Sequence, residues 1–250
     1  MRHKIKGIVI RETPKGETSK LLTVLTSSLG VITVNAKGVR KISSAYLKSA
    51  QLFAFSDMLL YEKNGFYTLT EAALITDFYA IREDIKNYSL ACYLCEAASA
   101  FAVPGEDSSN ILRLLLNSLY ALENNISERS IIKSAFELRL CAESGFMIEL
   151  GNCADCDSEL ENETFIFNII EGVSLCRACA SAGNENILIN PSVAKAIEHI
   201  TESELSRFIS FRISENDIAL LSVCAERFML TRAERGFKTL SFYKHCEELR

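Results

Sequence analysis

The sequence has few of the residues that interrupt helices. Its 250 residues include three prolines and 11 glycines, a scarcity that favours helix over much of the chain. No apolar run reaches the ~20 residues needed to cross a bilayer, so no membrane span is expected. The basic opening, Met1 to Gly7, is followed by neither an apolar core nor a small-residue cleavage site. No signal peptide is therefore expected, and the cytoplasm is the expected compartment. The chain has no Gly-x-x-x-x-Gly-Lys-Ser/Thr phosphate loop, no Gly-x-Gly-x-x-Gly fingerprint, no His-Glu-x-x-His and no Gly-x-Ser-x-Gly. Its three histidines, His3, His199 and His245, lie beside no candidate nucleophile or carboxylate pair. No catalytic residue is assigned, and an enzyme is not expected.

Acidic residues are scarce in the first fifth of the chain. Residues 1–50 contain ten Lys/Arg and two Asp/Glu, whereas the remaining residues contain 17 and 30. The net charge of −5 is thus an average over a basic segment and an acidic body. Such asymmetry suggests a local surface for a polyanion, which the net charge alone would argue against.

Nine cysteines, an odd number, in a chain expected to stay in the cytoplasm make a disulfide framework improbable. Four of them form Cys153-x-x-Cys156 and Cys176-x-x-Cys179, with 19 residues between the pairs. Each pair in a tight turn points two thiolates at one centre, and two such pairs at this separation are the pattern of a tetrahedral Zn2+ site. Four sulfur ligands leave no position for water, so the zinc is expected to be structural, with one site. The β-branched run from Thr164 to Ile170, then Glu171-Gly172, predicts a strand and turn between the pairs. Cys92 and Cys95 lie in a helical run and read as core packing. Cys141, Cys224 and Cys246 read as packing residues or surface thiols.

The pattern predicts an α+β chain. Five β-rich runs (5–10, 21–26, 31–36, 52–61 and 66–75) fit a five-stranded OB-type β-barrel over residues 1–80. Asn64-Gly65 marks a tight hairpin between the last two. Residues 81–250 read as a helical domain, with helices over 83–101, 108–122, 127–144, 191–200, 202–210 and 215–234 and a partly helical end to Arg250. The four-cysteine zinc module, residues 150–182, is expected as an insertion within it.

Within the barrel segment, Arg11, Lys15, Lys20, Lys37, Arg40, Lys41 and Lys48 are the candidate nucleic-acid contacts. Gly38 lets backbone approach a phosphate closely while the flanking cations attract it. Tyr46 is a candidate for stacking a base. Phe53, Phe55 and Tyr67 read chiefly as core filling.

Several of these stretches resemble the bacterial recombination mediator family RecO. They are Lys6-Gly7-Ile8-Val9-Ile10-Arg11, Gly16-Glu17-Thr18-Ser19-Lys20, Ala36-Lys37-Gly38-Val39-Arg40, Tyr67 to Ala72, and Ala135 to Leu140 leading through Gly145-Phe146 to the first cysteine pair. The resemblance implies an OB fold joined to a helical domain with a zinc finger. It also implies binding of single- and double-stranded DNA and annealing of complementary strands without ATP. The implied partners are RecR, the single-strand-binding protein through its acidic C-terminal tail, and indirectly RecA; the implied place is the nucleoid. Arg227, Arg232 and Arg235, near Phe228, Met229 and Leu230, are the candidates for receiving that tail. A zinc-stabilised RNA-binding or protein-adaptor module is the alternative that the residues leave open.

Overall fold

A computed structural model describes residues 1–160, 162–183 and 185–248. The strands are β1 (Arg2–Lys15), β2 (Ser19–Thr26), β3 (Val31–Ala36), β4 (Phe55–Lys63), β5 (Phe66–Thr76), β6 (Phe165–Asn168), β7 (Val173–Leu175) and β8 (Asn186–Ile189). The helices are α1 (Ile85–Phe101), α2 (Ser109–Glu123), α3 (Arg129–Glu143), α4 (Pro191–Glu202), α5 (Glu215–Ala233) and α6 (Lys238–Glu248). The chain forms two compact units, Met1–Asn124 with Phe237–Arg250, and Asn125–Gly236. No helix among the described residues is long and apolar enough to cross a membrane.

In the first unit, β1 to β5 close into a barrel in the order β1-β2-β3-β5-β4, with β4 returning to β1. All neighbours are antiparallel except β3 and β5, which pair in parallel at Val34–Tyr67 and Asn35–Thr68. Alternate residues point inward, so Val9, Leu22, Val24, Val34, Met58 and Leu60 fill the interior. This is the five-stranded barrel expected from the sequence. Its fourth strand starts later than expected, at Phe55. Phe53 has a left-handed backbone (φ 67°) and is buried. Its N–H donates to Val9 O and Ala54 O accepts from Val9 N, so residues 52–54 turn into the barrel instead of extending β4.

The β2–β3 turn meets the connection between α1 and α2. Leu29 O accepts from Gly105 N at 3.0 Å, and Ser27 O accepts from Ser108 N at 2.9 Å. Gly30 makes this approach possible. Its φ is +61°, and a Cβ there would stand 2.0 Å from Val103 O. Asp84 caps α1 by accepting from Lys86 N and Asn87 N, and a short 3-10 turn at Tyr79–Glu83 precedes it. α6 packs against α1, where Thr239 Oγ1 and N donate to Glu96 and Phe237 meets Tyr93 edge to face. The expected helical end is therefore present as α6, with Leu249 and Arg250 outside the described residues.

In the second unit, α3, α4 and α5 pack together and β7-β6-β8 form a small antiparallel sheet. Lys133 of α3, almost fully buried, is held between Glu137 at 2.9 Å and Glu226 of α5 at 3.0 Å. Burial disfavours its charge, but the two carboxylates outweigh that effect and raise its pKa. Asn190 caps α4 above Pro191, and Ser214 caps α5.

One expected helix is corrected. Residues 203–210 form successive turns instead of the helix predicted over 202–210. Arg139 Nη1 donates to the carbonyls of Ile200, Thr201 and Ser203. These are the carbonyls that a continuing helix would need for its own hydrogen bonds. Bonds from Arg207 N to Glu204 O and from Ser210 N to Arg207 O then close tight turns, with Leu205 and Phe208 buried.

Candidate metal centre and nucleic-acid interface

The first cysteine pair lies in the turn after Asn152 and the second in the turn after β7. The β6–β7 hairpin brings the turns together. Strand β6 is the apolar run expected between them, and Gly172 (φ 77°) makes the turn back. The parallel bridge between Glu149 and Val173 and the hydrogen bond from Ala154 N to Ser174 O fasten the first turn beside the second. All four sulfur atoms lie within 4.8 Å of one another. Cys156 Sγ and Cys176 Sγ are 3.8 Å apart, the separation of two sulfurs at the corners of a tetrahedron with bonds of ~2.3 Å.

The surroundings favour anionic sulfur at the first pair. Burial raises the Cys153 pKa, but N–H groups of Cys176, Cys156 and Asp155 outweigh it and bring the thiol down to about 6. The Cys176 N–H lies 3.3 Å from Cys153 Sγ. Ser158, through its hydroxyl and its N–H, lowers the pKa of Cys156. Hydrogen bonding to the Cys176 and Cys156 sulfurs pushes Cys179 up. Four convergent sulfurs, two of them prepared for ionisation, suit a soft or borderline cation that displaces the remaining protons.

The other five cysteines are separate from this cluster. Cys95, Cys141, Cys224 and Cys246 are buried. Burial pushes Cys224 up to about 12 and raises Cys141 further. Burial also pushes half-buried Cys92 up to about 11, against a hydrogen bond from Tyr88. A pKa raised in this way disfavours the thiolate that metal binding or nucleophilic chemistry needs.

Lys15, Lys37, Arg40 and Lys41 lie where two loops meet at one end of the barrel, while Arg11 sits farther along β1 opposite Thr23. Gly16 and Gly38 both have positive φ (63° and 69°) and shape the β1–β2 turn and the start of the β3–β4 loop. Arg40 ties the loops together, its N–H donating to Thr18 O at 2.9 Å and its Nη1 to Gly16 O at 2.9 Å. Gly38 N adds a bond to Ser19 Oγ. Arg11, Lys15, Lys37, Arg40, Lys41 and Lys48 are all exposed. Lys20 differs, because its ammonium is committed to Glu12 at 2.7 Å and to Ala50 O at 3.1 Å. It braces the loops, and part of its charge is already neutralised.

The aromatic candidates divide by burial. Phe53 is fully buried. Tyr46 and Tyr67 are half-buried and pack against the barrel core.

Arg227, Arg232 and Arg235 share the last turns of α5 and the residues just beyond. The Arg232 guanidinium lies over Phe228 (4.5 Å) and Phe146 (5.6 Å) and donates to Ile169 O at 3.4 Å. Its Nε is buried without a hydrogen-bond partner. Phe228 and Met229 are fully buried, so their apolar surface is taken up by the core and Phe146 provides the more accessible ring. Phe146 comes from a segment about 80 residues earlier, which is why sequence proximity to the arginines missed it.

Comparison with known proteins agrees with this architecture over nearly the whole chain. Residues 1–78 match the family described as Recombination protein O N terminal, and residues 82–241 match Recombination protein O C terminal. The chain is 28% identical over 247 residues to DNA repair protein RecO of Acetivibrio thermocellus, covering 99% of this chain and 98% of that one. It is 28% identical over 242 residues to DNA repair protein RecO of Alkaliphilus metalliredigens (96% and 98% covered) and 29% over 236 residues to that of Dehalococcoides mccartyi (93% and 92%). With the barrel, the helices and the four-cysteine cluster in the order that the sequence resemblance implies, this chain belongs to the recombination protein O family of DNA repair proteins.

Proposed function

We propose that this chain is a non-enzymatic mediator of DNA repair and recombination. It binds single- and double-stranded DNA, anneals complementary strands and, with RecR, helps load RecA onto DNA coated by single-strand-binding protein. Residues 1–80 serve as the DNA-binding domain, and residues 81–250 as a helical domain into which the module 150–182 is inserted. It acts in the cytoplasm, at the nucleoid.

The observation that carries this reading is the pair of glycine-shaped loops at one end of the barrel. Arg40 fastens them together, and between them they expose Lys15, Lys37, Arg40 and Lys41. Arg11 and Lys48 extend the surface, while Lys20 braces it. Cationic loops on a small barrel bind nucleic acid chiefly through phosphate. By screening two polyanions at once, they also ease the approach of complementary strands. Zn2+, held by Cys153, Cys156, Cys176 and Cys179, fixes the fold of its module. Arg232, seated on aromatic rings and flanked by Arg227 and Arg235, receives the acidic tail of the single-strand-binding protein.

The test is a salt titration of single-strand affinity with Lys37, Arg40 and Lys41 replaced together by alanine. Wild-type affinity falls with a log–log slope of about −0.7 per phosphate neutralised, and the folded variant binds more weakly with a flatter slope. An unchanged slope overturns the surface. Wild-type protein that neither binds DNA nor anneals strands overturns the mediator reading in favour of an adaptor.

A further inference from the structure

Ile42 is 96% exposed, more than any other large apolar side chain among the described residues. A single exposed apolar residue is ordinary on a protein surface, but the setting of this one is not. It stands at the outer turn of the β3–β4 loop, directly after Arg40 and Lys41. No acidic residue occurs in the sequence between Glu17 and Asp57.

The loop that carries it is fastened on both sides. Val39, three residues earlier, is 1% exposed in the barrel core, and Tyr46, four residues later, packs against the same core. Between these anchors, Lys41 N donates to Gly38 O at 3.2 Å and Ser44 N to Lys41 O at 2.9 Å. Farther along, Ala50 is buried and its carbonyl accepts from Lys20. Arg82 holds Gln51 Oε1 at 2.8 Å and also bonds Leu52 O. Ile42 is β-branched, so its own χ1 freedom is small. A stiff apolar tip is therefore held outward by a braced loop, among groups that attract phosphate.

We propose that Ile42 is an apolar wedge that enters between neighbouring bases when the cations around it engage the DNA backbone. The inference rests on the DNA-binding reading above and refines its substrate. Inserting an aliphatic side chain between stacked bases requires unstacking at that step, which is costly. That cost is lowest where stacking is already interrupted, so the loop prefers a single-strand/duplex junction to intact duplex. Where that cost is low, burial of the isoleucine between bases strengthens binding, on the order of tenfold in affinity for one aliphatic side chain.

The experiment compares the full-length protein with Ile42→Ser and Ile42→Leu. The ligands are a junction oligonucleotide with 2-aminopurine at the first unpaired position and an intact duplex of the same length. Wild type and Ile42→Leu raise the 2-aminopurine fluorescence on binding the junction. Ile42→Ser loses the rise and about tenfold in junction affinity, while its duplex affinity and salt slope stay at wild-type values. The fold is not at stake at a position this exposed, and an unchanged melting curve verifies that. Ile42→Ser that matches wild type in junction affinity and fluorescence overturns the wedge and leaves the basic surface standing. Wild-type protein that binds the junction without a fluorescence rise does the same. Wild-type protein that binds neither ligand overturns the DNA-binding reading and the wedge with it.

Discussion

At the scale of single residues, two glycines with nearly the same backbone conformation do different work. Gly30 and Gly38 have φ of 61° and 69°. At Gly38 nothing lies within 4 Å of an added Cβ, whereas at Gly30 the Cβ would meet Val103 O at 2.0 Å. Gly38→Ala therefore loses only the left-handed conformational preference, about 1 kcal/mol. Gly30→Ala adds a backbone clash at the barrel–helix contact and loses more than about 2 kcal/mol, with strain and displaced hydrogen bonds combined. Urea denaturation of the two variants tests the order, and equal losses would refute it. The sequence marks both positions as turns by the presence of glycine, but it does not reveal which one touches another backbone. Val103 lies 73 residues away, and only the closed barrel brings it near. The four zinc-type cysteines are different, because their spacing alone encodes their convergence. Phe53 was legible as a core residue by its size. Its left-handed backbone, which delays β4, was not.

At the scale of elements, α3 and α5 are stapled by Lys133 between Glu137 and Glu226. Lys133→Ala leaves Glu137, which is fully buried, without its counter-charge, and the expected loss is about 3–5 kcal/mol. Replacing Lys133 by methionine and Glu137 by leucine together restores much of it, because the fully buried Glu137 charge is removed with its partner and only the more accessible Glu226 loses its ion pair. Chemical denaturation of the single and double variants distinguishes this from ordinary loss of packing, in which the double variant would be the worse of the two. The pH dependence follows from the raised lysine pKa. Its contribution is fully present below the ordinary value of 10.5 and is lost only as pH rises through the still higher folded value. Stability from this lysine is therefore flat across the neutral range. The i,i+4 spacing of Lys133 and Glu137 could be read from the sequence, but Glu226, 93 residues on, could not. The same limit explains the segment 203–210. Its local pattern suits a helix, yet Arg139 from α3 claims the carbonyls on which that helix would build. β8 is likewise hard to read from the sequence, although Ile187-Leu188-Ile189 is a β-type run. Three apolar residues between asparagines are too short to identify a strand without the sheet that pairs with them.

At the scale of the whole molecule, charge and compactness are distributed differently along the chain. The basic segment lies wholly in the first unit, and the four-cysteine cluster wholly in the second. Each unit has its own buried residues, so removal of a metal held by the four cysteines would be felt locally. Hydrogen exchange on protein treated with a strong chelator is expected to show residues 150–182 losing protection while the strands of the barrel keep theirs. Equal loss in both units would show that they unfold together. Composition revealed where the basic surface lies, because attraction to phosphate depends on local charge more than on the net value. It could not reveal that Lys20 is already paired, since Glu12 becomes its neighbour only across the β1–β2 hairpin.

The first unit is also discontinuous in sequence. α6, the last helix described, and the residue before it supply Phe237 to Tyr93, Thr239 to Glu96 and the Glu247 carbonyl to Lys86. A nascent chain thus completes residues 125–236 before the helix that finishes packing around α1 has been made. At synthesis rates of 5–20 residues per second, the barrel and its first two helices wait roughly 6–25 s for that helix. During that interval the side of α1 that α6 will cover is open to solvent.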